Sequence, residues 1–140
     1  MEKLLQNHGE KIRFIIVGGV NTALDFGILF FLTYLGMDKI IANYFSTGIA
    51  LIFSFFANKS FTFKQQAGNA KKQFVYFLVI TLFGLWVIQP VIIWGVTVAL
   101  QSSVPSEGVR LLIAKLIATI ASLIWNYILY SRIVFKKTQA

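Results

Sequence analysis

The sequence predicts an all-α integral membrane protein, a four-helix bundle with both termini on the cytoplasmic side. Three observations predict it. Of 140 residues, 57% are apolar and only 13% charged, and mean hydropathy is +0.74. A soluble domain averages about 25% charged residues, so this chain has too few to coat a water-facing surface. Four apolar runs are each long enough to cross a bilayer core, which takes about 20 helical residues. Finally, the 13 Lys and Arg, against 5 Asp and Glu, gather between those runs and not along a polar helix face. That is the pattern of cytoplasmic loops, not of a nucleic-acid surface. Such apolar content also excludes disorder. With no cysteine and one histidine, His8, disulfides, thiol chemistry, iron–sulfur clusters and multi-ligand zinc sites are excluded. Neither a metal nor another cofactor is expected.

The chain reads as one domain over residues 1–140, with spans at about 14–35, 40–57, 74–100 and 109–130. The first is broken only by Asp25, and the second carries no charge. The third contains Pro90, which removes a backbone hydrogen bond and predicts a bend near Trp86–Pro90. The fourth carries Arg110 at its edge and Lys115 further in. The first span is too long for a secretory signal peptide and lacks a small-residue cleavage site.

Loop charge sets the orientation. Lys3, Lys11 and Arg13 precede the first span; Lys59, Lys64, Lys71 and Lys72 lie in the middle linker; Arg132, Lys136 and Lys137 follow the fourth. The other two connections hold one acid and one base, and one acid. Both termini and the middle linker are therefore expected inside. The halves also look duplicated as two parallel helical-hairpin repeats. Phe61-Thr62-Phe63-Lys64 matches Ile133-Val134-Phe135-Lys136, and Lys11-Ile12-Arg13-Phe14 matches Lys71-Lys72-Gln73-Phe74. Asn58 and Asn126 fall near the two exits at unequal spacings.

Polar side chains within hydrocarbon are costly unless paired or lining a wet cavity, so they mark function. On the fourth span Lys115, Thr119, Ser122 and Asn126 share one helical face; on the second, Asn43, Thr47, Ser54 and Asn58 do so. Gly18, Asn21 and Asp25 share a face of the first, and Thr81 and Gln89 lie on one side of the third. At 1.5 Å per residue, Asp25 stands roughly 17 Å and Lys115 roughly 22 Å from the cytoplasmic end, with Gln89 at a similar height. Asn21, Ser54, Ser122 and Asn126 form a layer nearer the cytoplasm, and Lys59 and Arg132 rim the entrance. A lysine among neutral donors suits a phosphate. A plain Asp25–Lys115 packing pair, or a Lys115 stem snorkelling to the outer headgroups, is the bland alternative. Ser46/Ala50 and Ala114/Ala118 permit close helix approach. Aromatic residues gather at Phe53–Phe63, Phe74–Trp86 and Trp125–Tyr130, as interface belts or a groove for a lipid tail.

These residues together resemble the GtrA-like family of small four-span membrane proteins. Arg13-Phe14-Ile15-Ile16-Val17-Gly18-Gly19-Val20-Asn21-Thr22-Ala23-Leu24-Asp25-Phe26 is similar to that family's first-span signature. Asn58-Lys59-Ser60-Phe61-Thr62-Phe63 resembles its exit from the second span, and Lys115 with Asn126 its polar pair on the fourth. Where Gln89 stands, family members can carry a basic residue, which would leave the phosphate site here one charge short.

The resemblance implies a flippase in the cytoplasmic membrane, moving a polyprenyl-phosphate-linked monosaccharide for cell-surface polysaccharide or teichoic acid glycosylation. A membrane glycosyltransferase is the implied partner, and a homo-oligomer is open. Two rivals stand beside this reading: an accessory subunit of that transferase, and a proton-coupled cation or drug exporter working through Asp25. An enzyme is not expected, because no nucleophile–base pair, metal constellation or phosphate-binding glycine loop is present.

Overall fold

A computed structural model describes the backbone over residues 2–65 and 67–136, with side chains from residue 7. Lys137 and the side chain of Lys3, both counted among the basic clusters, lie outside the described residues. Helix is the only regular structure among them. Four long apolar helical segments span Asn7–Tyr34, Lys39–Thr62, Ala70–Ala99 and Glu107–Val134, each long enough to cross a membrane. They extend the expected spans mostly at their basic ends. The chain divides into two compact units at Gly68/Asn69, each a helical hairpin.

The first hairpin pairs α1 (Glu2–Tyr34) with α2 (Lys39–Ala57). Its turn follows from local chemistry. Gly36 takes φ +93°, and the N–H groups of Gly36 and Met37 donate to Thr33 O and Leu32 O at 3.0 Å each. This left-handed cap satisfies carbonyls that a helix end leaves open. Asp38 then caps α2, its Oδ1 accepting from Ile40 N at 2.9 Å and Ile41 N at 3.3 Å. Ala42, Ser46 and Ala50 recur every fourth residue and are buried, so the helices approach across a small-residue stripe. At the basic end α2 widens into a π-turn, Asn58–Thr62, and Phe63 N closes it onto Asn58 O at 2.9 Å. The Arg13 guanidinium donates to Thr62 O from Nε at 3.2 Å and Nη2 at 3.0 Å. It thereby supplies donors and positive charge to the open C-terminal end of that segment. Phe63 is buried and packs beside Phe14, ring centroids 6.4 Å apart.

The second hairpin repeats this plan. Asn69 caps α3 (Ala70–Phe83), a second π-turn occupies Gly84–Ile88, and α4 (Gln89–Ala99) completes the span. The irregularity expected from Pro90 is thus a widened turn ending two residues before the proline. Ser106 caps α5 (Glu107–Leu129), and Arg110 ties the loop down through Val104 O at 2.9 Å. A third π-turn, Tyr130–Val134, ends the span, closed by Phe135 N on Tyr130 O at 2.7 Å.

A shift of 72 residues superposes the second helices of the two hairpins in sequence. The buried stripe Ala42, Ser46, Ala50 becomes the buried stripe Ala114, Ala118, Ser122. The π-turns begin at the equivalent Asn58 and Tyr130, and the buried rings of Phe63 and Phe135 follow. A shift of 60 relates the first helices, with buried Val17 matching buried Phe77. Asn58 therefore corresponds to Tyr130 and Asn126 to Ser54, which explains why the two asparagines sit at unequal distances from their exits. Large apolar side chains such as Phe30, Tyr44, Trp86 and Trp94 stand exposed. Water would not tolerate that surface, whereas hydrocarbon suits it.

Candidate functional site

In the second hairpin three of the expected residues meet. Lys115 Nζ donates to Gln89 Oε1 at 3.0 Å, and Gln89 Nε2 donates to Ser122 Oγ at 2.9 Å. Ser122 Oγ donates to Thr119 O at 3.0 Å, and Thr119 Oγ to Lys115 O at 2.7 Å. With its amide fixed from both sides, Gln89 holds the ammonium group by its carbonyl oxygen. Gln89 and Ser122 are buried, while Lys115 is exposed. The helix face turned inward on α5 is Ala114, Ala118 and Ser122, and Lys115 and Thr119 flank it. The reason is steric: close approach of α3 and α4 to α5 requires small residues on the contact line. The same rotation leaves Asn43 of α2 exposed beside buried Ala42. The equal height expected for Lys115 and Gln89 is realised in their hydrogen bond.

Asn126 lies one turn beyond Ser122 with its Oδ1 buried and without a hydrogen bond. It faces Gly84, where an added Cβ would stand 3.3 Å from Asn126 Oδ1 and 3.4 Å from Trp125 Cδ1. Trp125 Nε1 donates to Ile80 O at 3.2 Å, and its indole stacks on Phe83 at 5.1 Å. Gly84 and Trp125 thus set the distance between α3 and α5 at this level. Neither carries a sequence signal beyond its residue type. Nearer the basic end, Thr81 Oγ and Tyr130 OH form a direct hydrogen bond. Thr81 spends its one hydrogen on Phe77 O at 2.7 Å, so the tyrosine is the donor. Tyr130 also stacks on Phe77, centroids 4.7 Å apart.

In the first hairpin Ser54 and Asn58 meet. Asn58 Nδ2 donates to Ser54 O at 2.8 Å and Ser54 Oγ at 3.2 Å. That orientation leaves Asn58 Oδ1 without a partner although the residue is only 2% exposed. Asn21 Oδ1, Asp25 Oδ1 and Thr62 Oγ are likewise buried and unpartnered. Asn21 and Asp25 are one turn apart on the half-buried face of α1, as the spacing predicts. Of the two expected entrance cations, Lys59 is buried within the first π-turn and Arg132 is exposed on the third. Among the described residues no cluster of His, Cys, Asp or Glu is arranged to hold a metal ion.

The hairpins therefore differ in chemistry. The second holds a cation against a neutral amide, and the first buries several unpartnered oxygens, as the second does at Asn126. A family model described as GtrA/DPMS, transmembrane domain, matches residues 13–135. The chain is also similar to the uncharacterized membrane protein YngA of Bacillus subtilis (strain 168), 31% identical over 116 residues. That match covers 83% of this chain and 72% of the relative.

Proposed function

Because the chain belongs to the GtrA/DPMS transmembrane-domain family, we propose that this multi-pass membrane protein flips a polyprenyl-phosphate-linked monosaccharide across the cytoplasmic membrane. The observation that carries this reading is the Lys115–Gln89–Ser122 relay. An ionisable group inside a membrane-spanning segment pairs with another ionisable group or with backbone carbonyls, or faces a wet cavity on a substrate path. Here it meets an amide oxygen, which directs the group without neutralising it. The charge is left for a ligand, and a lipid phosphate is the anion that already resides in the bilayer. Charge-assisted hydrogen bonds of this kind contribute about 1.5–3 kcal/mol each.

The remaining expected residues take supporting parts in this reading. Lys59 and Arg132 attract the anion at the cytoplasmic surface, and Asn58, Asn126, Ser54 and Asn21 bind sugar hydroxyls. The polyprenyl tail stays in hydrocarbon, so only the head crosses. No bond is made or broken, and the protein is a carrier, not an enzyme. A membrane glycosyltransferase must load the lipid, and transferred sugars serve cell-surface polysaccharide or teichoic acid glycosylation.

The test is translocation of a fluorescent polyprenyl-phosphate hexose in reconstituted vesicles. Lys115→Ala is expected to lower the rate about 10–100-fold, the equivalent of one charge-assisted hydrogen bond. A wild-type rate in Lys115→Ala vesicles overturns the assignment.

A further inference from the structure

Each hairpin has a cavity at its tip, beside the loop that joins its two helices. In the second hairpin a cavity of about 350 Å³ is lined by Thr97, Gln101, Glu107 and Arg110, among others. Its cation is already engaged: Arg110 Nη1 donates to Val104 O at 2.9 Å and Gln101 O at 3.4 Å. Glu107 adds a carboxylate to the same wall. The first hairpin differs. Its cavity, about 550 Å³, lies between the end of α1 and the start of α2. Phe30 and Ile40 form an apolar wall, and Thr33, Lys39, Asn43 and Tyr44 a polar one. The Lys39 ammonium, the Asn43 side-chain amide and the Tyr44 hydroxyl make no hydrogen bond to another described residue. Thr33 Oγ donates to its own helix, to Leu29 O and Phe30 O at 2.9 Å each, and keeps its lone pairs as acceptors. Asp38 precedes Lys39, but its Oδ1 caps α2 and it is not part of the wall. That cap and the left-handed Gly36 fix the turn beneath the cavity, and Phe30 is held by stacking on Phe26, centroids 6.2 Å apart.

We infer that the cavity of the first hairpin holds the sugar-phosphate head of the carried lipid once that head has reached the outer leaflet. The inference rests on the flippase reading and adds the place from which the head is released. On the orientation that loop charge sets, this tip faces outside. An ammonium group without an internal partner, at the edge of the hydrocarbon, attracts a phosphate. Asn43 lies one turn, about 6 Å, deeper on the same face of α2. With Thr33 and Tyr44 it offers donors and acceptors to sugar hydroxyls. The volume falls within the range of about 300–1,000 Å³ that small-ligand sites occupy, which leaves room for a hexose beside the phosphate. Phe30 and Ile40 give the first isoprene units an apolar wall. The second hairpin's cavity does not suit this ligand, because its arginine is engaged and its glutamate repels a phosphate.

Photo-crosslinking in nanodiscs of phosphatidylcholine tests this, with a short-chain polyprenyl-phosphate glucose that carries a diazirine on the sugar. Peptide mapping is expected to place crosslinks within residues 29–44. Unlabelled polyprenyl-phosphate glucose should compete them away, whereas an equal amount of phosphatidylglycerol should not. Lys39→Gln is expected to lower the crosslink about 10-fold, the equivalent of one charge-assisted hydrogen bond. Lys39→Arg, which keeps the charge, is expected to restore most of it. Lys39 is exposed and uncommitted, so neither change disturbs the packing. Absence of crosslinks in 29–44 overturns the site, and so does a crosslink that Lys39→Gln leaves unchanged. Equal competition by phosphatidylglycerol also overturns it, because the groove is then an anchor for any anionic lipid. Nanodiscs open both faces to the probe, so this binding does not require transport. Failure of the flippase reading therefore looks different: Lys115→Ala vesicles transport at the wild-type rate while the crosslink in 29–44 persists.

Discussion

The two hairpins share a backbone plan and divide in what they do with it. Each buries a small-residue stripe on its second helix and ends that helix in a π-turn followed by an enclosed phenylalanine. The second hairpin joins Thr81 with Tyr130, Gln89 with Lys115 and Ser122, and Trp125 with Ile80 O, and leaves Asn126 Oδ1 buried and unpartnered. The first leaves Asn21, Asp25 and Asn58 with buried oxygens unfilled. A duplicated scaffold thus supplies its own control. At Thr81 and Tyr130 the second copy joins by a hydrogen bond the positions that Asn21 and Asn58 hold in the first, where both Oδ1 atoms are unpartnered.

That comparison breaks in several measurable ways. The largest expected effect is on Gln89→Leu, which keeps the volume and removes both ends of the relay. Lys115 then loses its directing acceptor, and vesicle transport is expected to fall about 10-fold, the equivalent of one net hydrogen bond. Unchanged transport would mean that the relay is packing alone. Next is Gly84→Val. The first helix of the other hairpin carries Leu24 at the equivalent position, but here Asn126 and Trp125 crowd the site. Overpacking is expected to cost about 1–3 kcal/mol, read as lowered thermal stability in detergent. Leu24→Val should cost less, and equal losses would remove the asymmetry between the hairpins. Smallest is Tyr130→Phe, which deletes one hydrogen bond and keeps the stacking on Phe77. About 0.5–1.5 kcal/mol of stability should go, with transport retained, because this position is closed and not a ligand contact.

Much of this was legible in the sequence. Hydropathy located all four spans, and charge runs marked their basic ends. Spacing picked out Ser46/Ala50 and Ala114/Ala118, which the structure buries. Rise per residue brought Lys115 level with Gln89. The facing of the helices was less legible. A polar stripe predicts Lys115 and Asn43 inward, yet side-chain volume decides the contact line, and alanines one residue earlier win it. The π-turns left no trace beyond Pro90, because shifting a hydrogen bond from i+4 to i+5 needs no particular residue type. The orphaned oxygens were invisible for a similar reason: which atom of an asparagine is satisfied depends on a neighbour's hydroxyl, not on its own spacing.

The second π-turn has a consequence for angular phase. Eight α-helical steps would carry Gln89 about 80° around the axis from Thr81. The extra residue in the turn between them sets the helix back by about 100°, leaving the two only about 20° apart. One widened turn is thus what allows one neighbouring span, α5 and the π-turn that follows it, to address both side chains. Rewinding it would swivel the glutamine off the lysine while the threonine stayed where it is.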